Sequence, residues 1–495
     1  MDINNKIILY NNYLEIKINT DDFTESDLYI IKILEKIFII KHYQKINGHM
    51  KLFKHINYQT TLDKNIRIIK LPKYAGLKLL NKLNLEYIDK RNYSNQTYDF
   101  KSNIILYPNQ IIISNNIEEK LKKRKTNSYI LIQKPGLGKT IIALNIINLL
   151  KVKVLIIVPN LFLFNQWKLE ILDNFDITEE EILEWNGTMT SKKKKNLTIY
   201  NSQFKIIITT IHTALKIDPQ VLNENNVCLC IYDEIHLYCS PLFSKCFQNT
   251  QRYYNLGLSA TATRNDTFEK IYLQHLNILS FSNKIVNEEN SQFIGCVFII
   301  RNQQKYENIM LKNGNISVPL ILNNIIEDEK RNNLIIQNII KLYDDNIENY
   351  IYVFSDRRSH LQNLAKNLNI KRNDIKVFIN GNENELNELC EIKVLLGGCT
   401  LDDVIDAKNN ARIIFTTYQL SSVGVNIVKM NCLMFATPRK SNFKQIIGRI
   451  LRNGSNVNIH RKIIDIVDMK SILYNQYHYR KKEYIDHKFE IINVK

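Results

Sequence analysis

The run Lys134-Pro135-Gly136-Leu137-Gly138-Lys139-Thr140 carries the most specific chemistry in the sequence. It follows the apolar stretch Tyr129–Gln133 and leads into Ile141–Leu150, an order that reads strand, loop, helix. Gly136 and Gly138 let backbone N–H groups turn toward phosphate oxygens, and the start of the helix adds a favourable dipole. Lys139 supplies a point charge to the β and γ phosphates, and the Thr140 hydroxyl suits Mg²⁺. Gln133 stands where the first glycine of G-x-x-x-x-G-K-T would be, but the G-x-G-K-T core is intact. Further on, the apolar run Cys228–Tyr232 ends in Asp233-Glu234-Ile235-His236. Asp233 would hold Mg²⁺ through water, and Glu234 would orient and deprotonate an attacking water. His236 could link that station to a neighbouring loop. A third group lies in Gln445-Ile446-Ile447-Gly448-Arg449-Ile450-Leu451-Arg452. Gln445, Arg449 and Arg452 recur at i, i+4 and i+7, which puts all three on one face if the segment is helical. An Arg delivered across a domain cleft neutralises charge on a transferring γ-phosphoryl group. Taken alone, an Asp-Glu pair is a solvated strand end and the Arg segment an exposed basic helix. Behind the phosphate loop they read as the parts of a nucleotide hydrolase.

These residues need strands and helices to hold them. From about residue 104, short Ile- and Val-rich runs alternate with helical stretches: Ile130–Ile132, Val154–Val158, Ile206–Ile208, Val227–Ile231 and Leu256–Leu258. Fully apolar runs of this length between helices read as parallel strands covered on both faces. After about residue 290 the pattern begins again, with Val297–Ile300, Tyr350–Phe354, Lys376–Ile379, Arg412–Phe415, Cys432–Ala436 and Ile463–Val467. The first hundred residues differ. Residues 6–18 alternate like a strand, 26–40 and 75–83 have helical spacing, and no catalytic motif occurs. The expected fold is therefore α/β, with two tandem parallel-sheet domains and a small N-terminal α+β accessory domain. The expected domains are 1–103, 104–288, 289–470 and a basic, aromatic tail, 471–495. In that tail, Tyr474–Tyr484 interleaves tyrosines with Arg480, Lys481 and Lys482. It could stack on bases or pack as a helix on the second domain.

Composition sets the outer limits. With 495 residues, 45% hydrophobic and 23% charged, the chain has material for several cores and is neither fibrous nor disordered. The formal net charge is +18, which favours a polyanionic partner, most often nucleic acid. Lys192–Lys195 reads as a solvated loop or a phosphate contact. The eight cysteines include no C-x-x-C pair, so buried free thiols in a reducing, intracellular compartment are expected and zinc is not. No export signal opens the chain, and the longest apolar stretch, Leu28–Ile40, is interrupted by Lys32, Glu35 and Lys36. No membrane partner is expected.

At these motifs the sequence resembles the superfamily 2 helicases and nucleic-acid translocases, with RecA-like domains. Asp233-Glu234-Ile235-His236 matches their DExH box, and the resemblance extends over roughly residues 105–470. Leu106–Gln110 resembles the segment whose glutamine, here Gln110, contacts adenine. Leu155–Pro159 with Phe164–Trp167, and Ile208–His212, resemble strand ends that meet the nucleic-acid backbone. Leu256–Arg264 contains the Ser259-Ala260-Thr261 motif that couples hydrolysis to domain movement, with Thr263 where proline is commonest. In the second domain Tyr352–Arg357, then Phe415–Tyr418 with Gly424–Ile427, resemble motifs IV and V, with Asn426 where aspartate is usual. Gln445–Arg452 is similar to motif VI.

The resemblance implies the following roles. ATP and Mg²⁺ would sit on Gln110, Gly136, Leu137, Gly138, Lys139, Thr140, Asp233 and Glu234. Gln445, Arg449 and Arg452 would complete hydrolysis. Pro159, Thr210, Ser355 and Thr417 would touch nucleic acid, and His236, Ser259, Ala260, Thr261 and Gly424 would couple the two events. Within the superfamily the sequence is closest to the helicases of large DNA viruses, of the poxvirus transcript-release type. The features that suggest it are chain length, the motif-free N-terminal module, Ile351–His360, Thr437–Lys440 and Ile463–Asp468. That resemblance implies 3′-to-5′ travel on DNA, work beside an RNA polymerase or transcription factors, and a location in the virion and host cytoplasm. A repair or branch-migrating translocase, an RNA helicase, and an ATPase switch that does not unwind remain as alternatives.

Overall fold

A computed structural model describes residues 7–21, 24–46, 49–123, 126–133, 137–187, 204–260, 268–279, 293–311, 314–372, 374, 377–379, 391–397, 399–422, 427–439, 443–451, 456 and 458–494. The chain divides into two compact units, one running to residue 287 apart from residues 135–137, the other from 288 onward.

The first unit opens on a mixed five-stranded sheet. Its strands are β1 (Ile7–Leu9), β2 (Tyr13–Asn19), β5 (Gln59–Asp63), β6 (Ile66–Pro72) and β7 (Ile88–Asp89), in the order β5-β6-β2-β1-β7. Helices α1 (Glu25–Phe38) and α2 (Lys73–Leu83) accompany it, and Leu14, Ile16, Leu34, Phe38, Leu71 and Leu80 form the shared core. A separate two-stranded ribbon, β3 (Ile39–Ile46) and β4 (His49–Ile56), leaves the end of α1. Helical spacing in the sequence continues to residue 40. The helix stops at Phe38, where the β-branched pair Ile39-Ile40 favours extended backbone. The module is fastened to the rest of the unit by the fully buried Lys73, whose Nζ donates to the Arg252 carbonyl at 2.9 Å.

The rest of the first unit is a seven-stranded parallel sheet. Its strands are β8 (Ser128–Ile132), β9 (Lys153–Val158), β10 (Ile182–Trp185), β11 (Ile206–Thr210), β12 (Val227–Tyr232), β13 (Tyr254–Ser259) and β14 (Asn277–Ile278), in the order β10-β11-β9-β12-β13-β8-β14. Every residue of β9, β12 and β13 is buried, as strands covered by helices on both faces must be. Helices α3 (Pro108–Lys122), α4 (Lys139–Leu150) and α5 (Leu161–Asn174) belong to this half. In α4, Ile142, Ala143, Leu144, Ile146 and Ile147 are all buried, so the helix is anchored on more than one face.

The second unit holds an eight-stranded parallel sheet. The strands are β15 (Gly295–Lys305), β16 (Ile351–Ser355), β17 (Val377–Ile379), β18 (Ile392–Leu395), β19 (Ile413–Thr417), β20 (Cys432–Phe435), β21 (Arg461–Lys470) and β22 (Glu490–Val494), in the order β17-β18-β19-β16-β20-β21-β15-β22. The fold is thus two tandem RecA-like parallel-sheet domains with a small N-terminal module. The closing segment is no free tail. Helix Tyr474–Asp486 buries Arg480 and Tyr484, and β22 pairs with β15. Arg480 Nε donates to Asp465 Oδ2 at 2.8 Å, and Tyr484 donates to the same carboxylate. Of the two readings of this segment, packing on the second domain is the one observed. The seven described cysteines are free thiols, and six are buried. Among the described residues no helix is long and apolar enough to cross a membrane.

Candidate functional site

Parallel strands bring their carboxyl ends to one edge of a sheet, the edge at which such folds take ligands. In the first unit that edge gathers the ends of β8, β9, β11, β12 and β13, which lead into Gln133, Pro159, the end residue Thr210, Asp233 and the end residue Ser259. Helix α4 starts at Lys139, capped by Gly138 in the left-handed region at φ +78°. A Cβ at Gly138 would collide with Gln110 Nε2. Gln110 is buried, and its Oε1 accepts from the Tyr107 backbone N–H at 3.0 Å. The pre-loop glutamine therefore lies beside the phosphate loop, and the left-handed φ at Gly138 is one that glycine adopts without strain. Lys139 Nζ lies back over the loop, donating to the Gln133 carbonyl at 3.3 Å. Thr140 follows it in the first turn of α4. Gly136 lies outside the described residues, and so do Thr261, Gly424, Arg452 and Lys192–Lys195.

Asp233 is buried beyond the end of β12, and its Oδ2 accepts the Trp167 indole N–H at 2.9 Å. Burial, and then the neighbouring Glu234 carboxylate, push the Asp233 carboxyl up to about 6, against the pull of the Trp167 N–H and of Lys139. The Asp233 carboxylate and the Thr140 hydroxyl are hard oxygen donors, the kind Mg²⁺ takes when water and phosphate complete its shell, so the residues present fit Mg²⁺. Trp167 was read from sequence as part of a strand-end motif, with no link to Asp233. The signal available was a large indole closing the Phe164–Trp167 segment, but only the fold shows that α5 delivers it to the end of β12.

Glu234 has φ +47°, a region that non-glycine residues adopt at a cost and that recurs at functional sites. Its Oε2 lies 3.2 Å from His236 Nδ1, and the same nitrogen is 3.1 Å from Ser259 Oγ. Ser259 is fully buried, and its carbonyl accepts the Gln133 N–H at 3.0 Å. Glu234 Oε2 and Ser259 Oγ thus both face His236 Nδ1, and the backbone of Ser259 is bonded to Gln133, the residue that opens the phosphate loop. The close approach also needs Gly257, where a Cβ would meet Ile235 Cδ1 at 2.5 Å.

The expected nucleic-acid contacts divide. Pro159 is half-buried just past β9. Thr210 is mostly buried, 3.2 Å from the Thr213 hydroxyl. Thr417, half-buried, accepts from the Leu420 N–H at 3.2 Å and starts a short helix. Ser355 is fully buried, with its Oγ 3.0 Å from His360 Nδ1 and accepting the Arg357 N–H. Its hydroxyl holds the turn after β16 and is no surface contact in this structure.

Of the three residues expected on one helix face, Gln445, Arg449 and Arg452, the described residues include the first two, and these do not lie on one α-helix. The helix Phe443–Ile447 ends before Gly448, and Arg449 and Ile450 continue in tighter turns, their N–H groups donating to the carbonyls of Ile446 and Ile447. Three residues per turn no longer align i with i+4, and glycine is a poor helix interior residue. Gln445 is half-buried and Arg449 is buried.

The comparisons with known proteins agree with this architecture. Residues 103–264 match the family model described as the type III restriction enzyme, res subunit. A protein of African swine fever virus (isolate Tick/South Africa/Pretoriuskop Pr4/1996), provisionally named ATP-dependent RNA helicase QP509L, is 28% identical over 70% of this chain and 67% of its own. One from invertebrate iridescent virus 6, provisionally named helicase 161L, is 26% identical over 87% of this chain and 91% of its own. Among solved structures, the DEAD-box helicase Mss116 bound to single-stranded RNA and UDP-BeF shares the fold at a TM-score of 0.53 and 15% identity, over 79% of this chain and 75% of that one. Fold, motifs and likeness are consistent with the superfamily 2 helicases, the ATP-dependent nucleic-acid translocases that this chain resembles. Its relatives named here are proteins of large DNA viruses.

Proposed function

We propose that this protein hydrolyses ATP to move along DNA in the 3′-to-5′ direction, and that it serves transcript release beside a viral RNA polymerase or its factors. The observation that carries the reading is the grouping of Glu234, His236 and Ser259 at the strand ends beside the phosphate loop, with Glu234 at a positive φ and Ser259 bonded through its backbone to Gln133. Gly136, Leu137, Gly138 and Lys139 hold the phosphates, and Gln110 bears on the adenine. Thr140 and Asp233 hold Mg²⁺, which supplies charge neutralisation at the phosphates. Glu234 takes the proton of the attacking water. Gln445, Arg449 and Arg452 serve the γ-phosphoryl group. Pro159, Thr210 and Thr417 mark where the nucleic-acid backbone runs, with Ser355 positioning its turn. Ser259, Ala260, Thr261 and Gly424 belong to the coupling path with His236. Grip on the polymer rests on its backbone, so it weakens steeply with salt. The virion and host cytoplasm are the proposed setting.

A second reading, an RNA helicase, is favoured by the name of the African swine fever virus relative. Steady-state ATP turnover separates the two, measured without nucleic acid and with single-stranded DNA, duplex DNA and RNA at matched salt. Stimulation by DNA and not RNA is expected. Stimulation by RNA alone moves the substrate to RNA, and turnover that ignores every polymer overturns the translocase reading.

A further inference from the structure

The ribbon β3–β4 takes no part in the site described above. Each strand has eight residues, paired antiparallel from Ile39↔Ile56 to Ile46↔His49. A two-stranded ribbon outside a larger sheet is marginal in water by itself. This one also sets Lys41 directly opposite Lys54, a like-charge pair that destabilises a ladder. Both lysines are exposed, and among the described residues neither has a carboxylate partner. That differs from Lys122, Lys123, Lys168 and Lys205, which all pair with glutamates. From Lys36 to Leu62 the sequence holds five lysines and three histidines and no Asp or Glu. Leu52, Phe53 and Ile56 are exposed on the same ribbon. Unbalanced cations beside exposed apolar and aromatic groups fit a polyanion that offers both phosphates and base edges.

The ribbon's base, in contrast, is fixed. Gln274, which follows the short helix Glu269–Leu273, holds both ends of the ribbon and also the start of helix α2. Its Oε1 accepts from Asn57 Nδ2 at 2.6 Å, its Nε2 donates to the Ile37 carbonyl at 2.9 Å, and its own carbonyl accepts the Ala75 N–H at 2.9 Å. Gln274 leads from that helix toward β14 in the sheet that carries the phosphate loop. The ribbon therefore moves with the ATP-binding sheet.

We propose that β3–β4 is a duplex-DNA contact that lies in or across the major groove, with Lys41 and Lys54 on the phosphates. At ~3.4 Å per residue the ribbon is about 27 Å long. The B-form major groove, about 12 Å wide, admits such a ribbon, whereas the deep, narrow groove of A-form RNA does not. A contact rigid with the ATP-binding half would hold the duplex ahead of a translocating strand. The inference rests on the translocase reading and deepens it by naming the duplex as the ribbon's substrate.

The test uses the full chain and the double variant Lys41→Ala/Lys54→Ala, with Lys41→Arg/Lys54→Arg as the charge-conserving control. Affinity for duplex DNA, single-stranded DNA and duplex RNA is measured across a salt series. Each lost phosphate contact flattens the log–log salt slope on duplex DNA by about 0.9, so a change of about 2 is expected, with affinity roughly tenfold weaker. Single-stranded DNA binding and the ATP turnover it stimulates should stay within about twofold, and the Arg variant should match wild type. The melting temperature should hold or rise, because a repulsive pair is removed; a fall would assign the lysines a structural role and overturn the proposal. Unchanged duplex binding in the Ala variant would overturn it too and leave an acidic protein as the ribbon's partner. An equal loss on single strands or on duplex RNA would overturn the groove assignment. A wild-type protein that binds no nucleic acid at all would defeat the translocase reading itself, an outcome distinct from failure of the variant alone.

Discussion

The two parallel-sheet halves use buried polar groups in opposite ways. In the second, they are closed off. Arg331 is wholly buried and paired through Nε with Asp468 at 2.9 Å, and Asp465 is shared by Arg480 and Tyr484, with both charged partners about 1% exposed. In the first half, the comparable groups stand at the edge of the sheet under strain. Asp233 is pushed up by burial and by Glu234, Glu234 sits at φ +47°, and His236 lies between Glu234 and Ser259. A closed pair fixes structure, whereas two neighbouring carboxylates at a sheet edge form a place where a cation can be held. The comparison assigns chemistry to the first sheet and the buried Asp465 and Asp468 pairs to architecture.

Breaking the comparison should therefore give different readouts on the two sides. The largest effect is expected from Glu234→Gln. Loss of a general base lowers turnover by ~10²–10⁴-fold, while ATP still binds. Normal hydrolysis by that variant would remove Glu234 from the role of base. Next is Arg480→Ala, which strands Asp465 in the interior. Removing one partner of a buried pair costs about 3–5 kcal/mol, read by chemical denaturation of the second unit. A loss under 1 kcal/mol would show that the pair is not the closed element described. Trp167→Phe removes a donor from a buried carboxylate and should cost about 1.5–3 kcal/mol. Because the lost bond bears on Asp233, the Mg²⁺ concentration needed for half-maximal turnover should shift in this variant and not in a core substitution such as Ile171→Val.

A smaller effect sharpens the comparison by touching both halves alike. Burial lowers both His275 and His360 to about 3. Each is held neutral in the fold and becomes protonated more readily once unfolded, so its contribution is complete above the ordinary histidine value near 6.5. It is lost as pH falls from there toward 3. The slope is about 1.4 kcal/mol per pH unit per group, or ~2 kcal/mol each by pH 5. His360→Gln should flatten the acid limb of the second unit alone and His275→Gln that of the first; equal flattening of both by either variant would contradict the assignment.

The sequence made the sheets legible because parallel strands covered on both faces must be continuously apolar, as β9 and β12 are. The phosphate loop and the Asp233–Glu234 pair were legible because their chemistry needs fixed spacing along the chain. Contacts made between elements were not. The Trp167–Asp233 bond joins residues 66 positions apart, and no local pattern reports it. In the motif VI segment a spacing of i, i+4, i+7 suggests a helix through Gly448, but the described helix ends at Ile447, next to a residue that favours termination. The ribbon was missed although Asn47-Gly48 is a strong hairpin signal, since the helical spacing before it was extended through Ile39-Ile40. The strand β22 was hidden behind the basic, aromatic character of the segment that precedes it.

The most direct test of the link between hydrolysis and nucleic acid is the ratio of DNA-stimulated to basal ATP turnover in His236→Ala, set against wild type at the same salt. If the grouping of Glu234, His236 and Ser259 carries the coupling, basal turnover should remain within about tenfold while the ratio falls close to one. A variant that keeps the full wild-type ratio would contradict the coupling role assigned to this grouping.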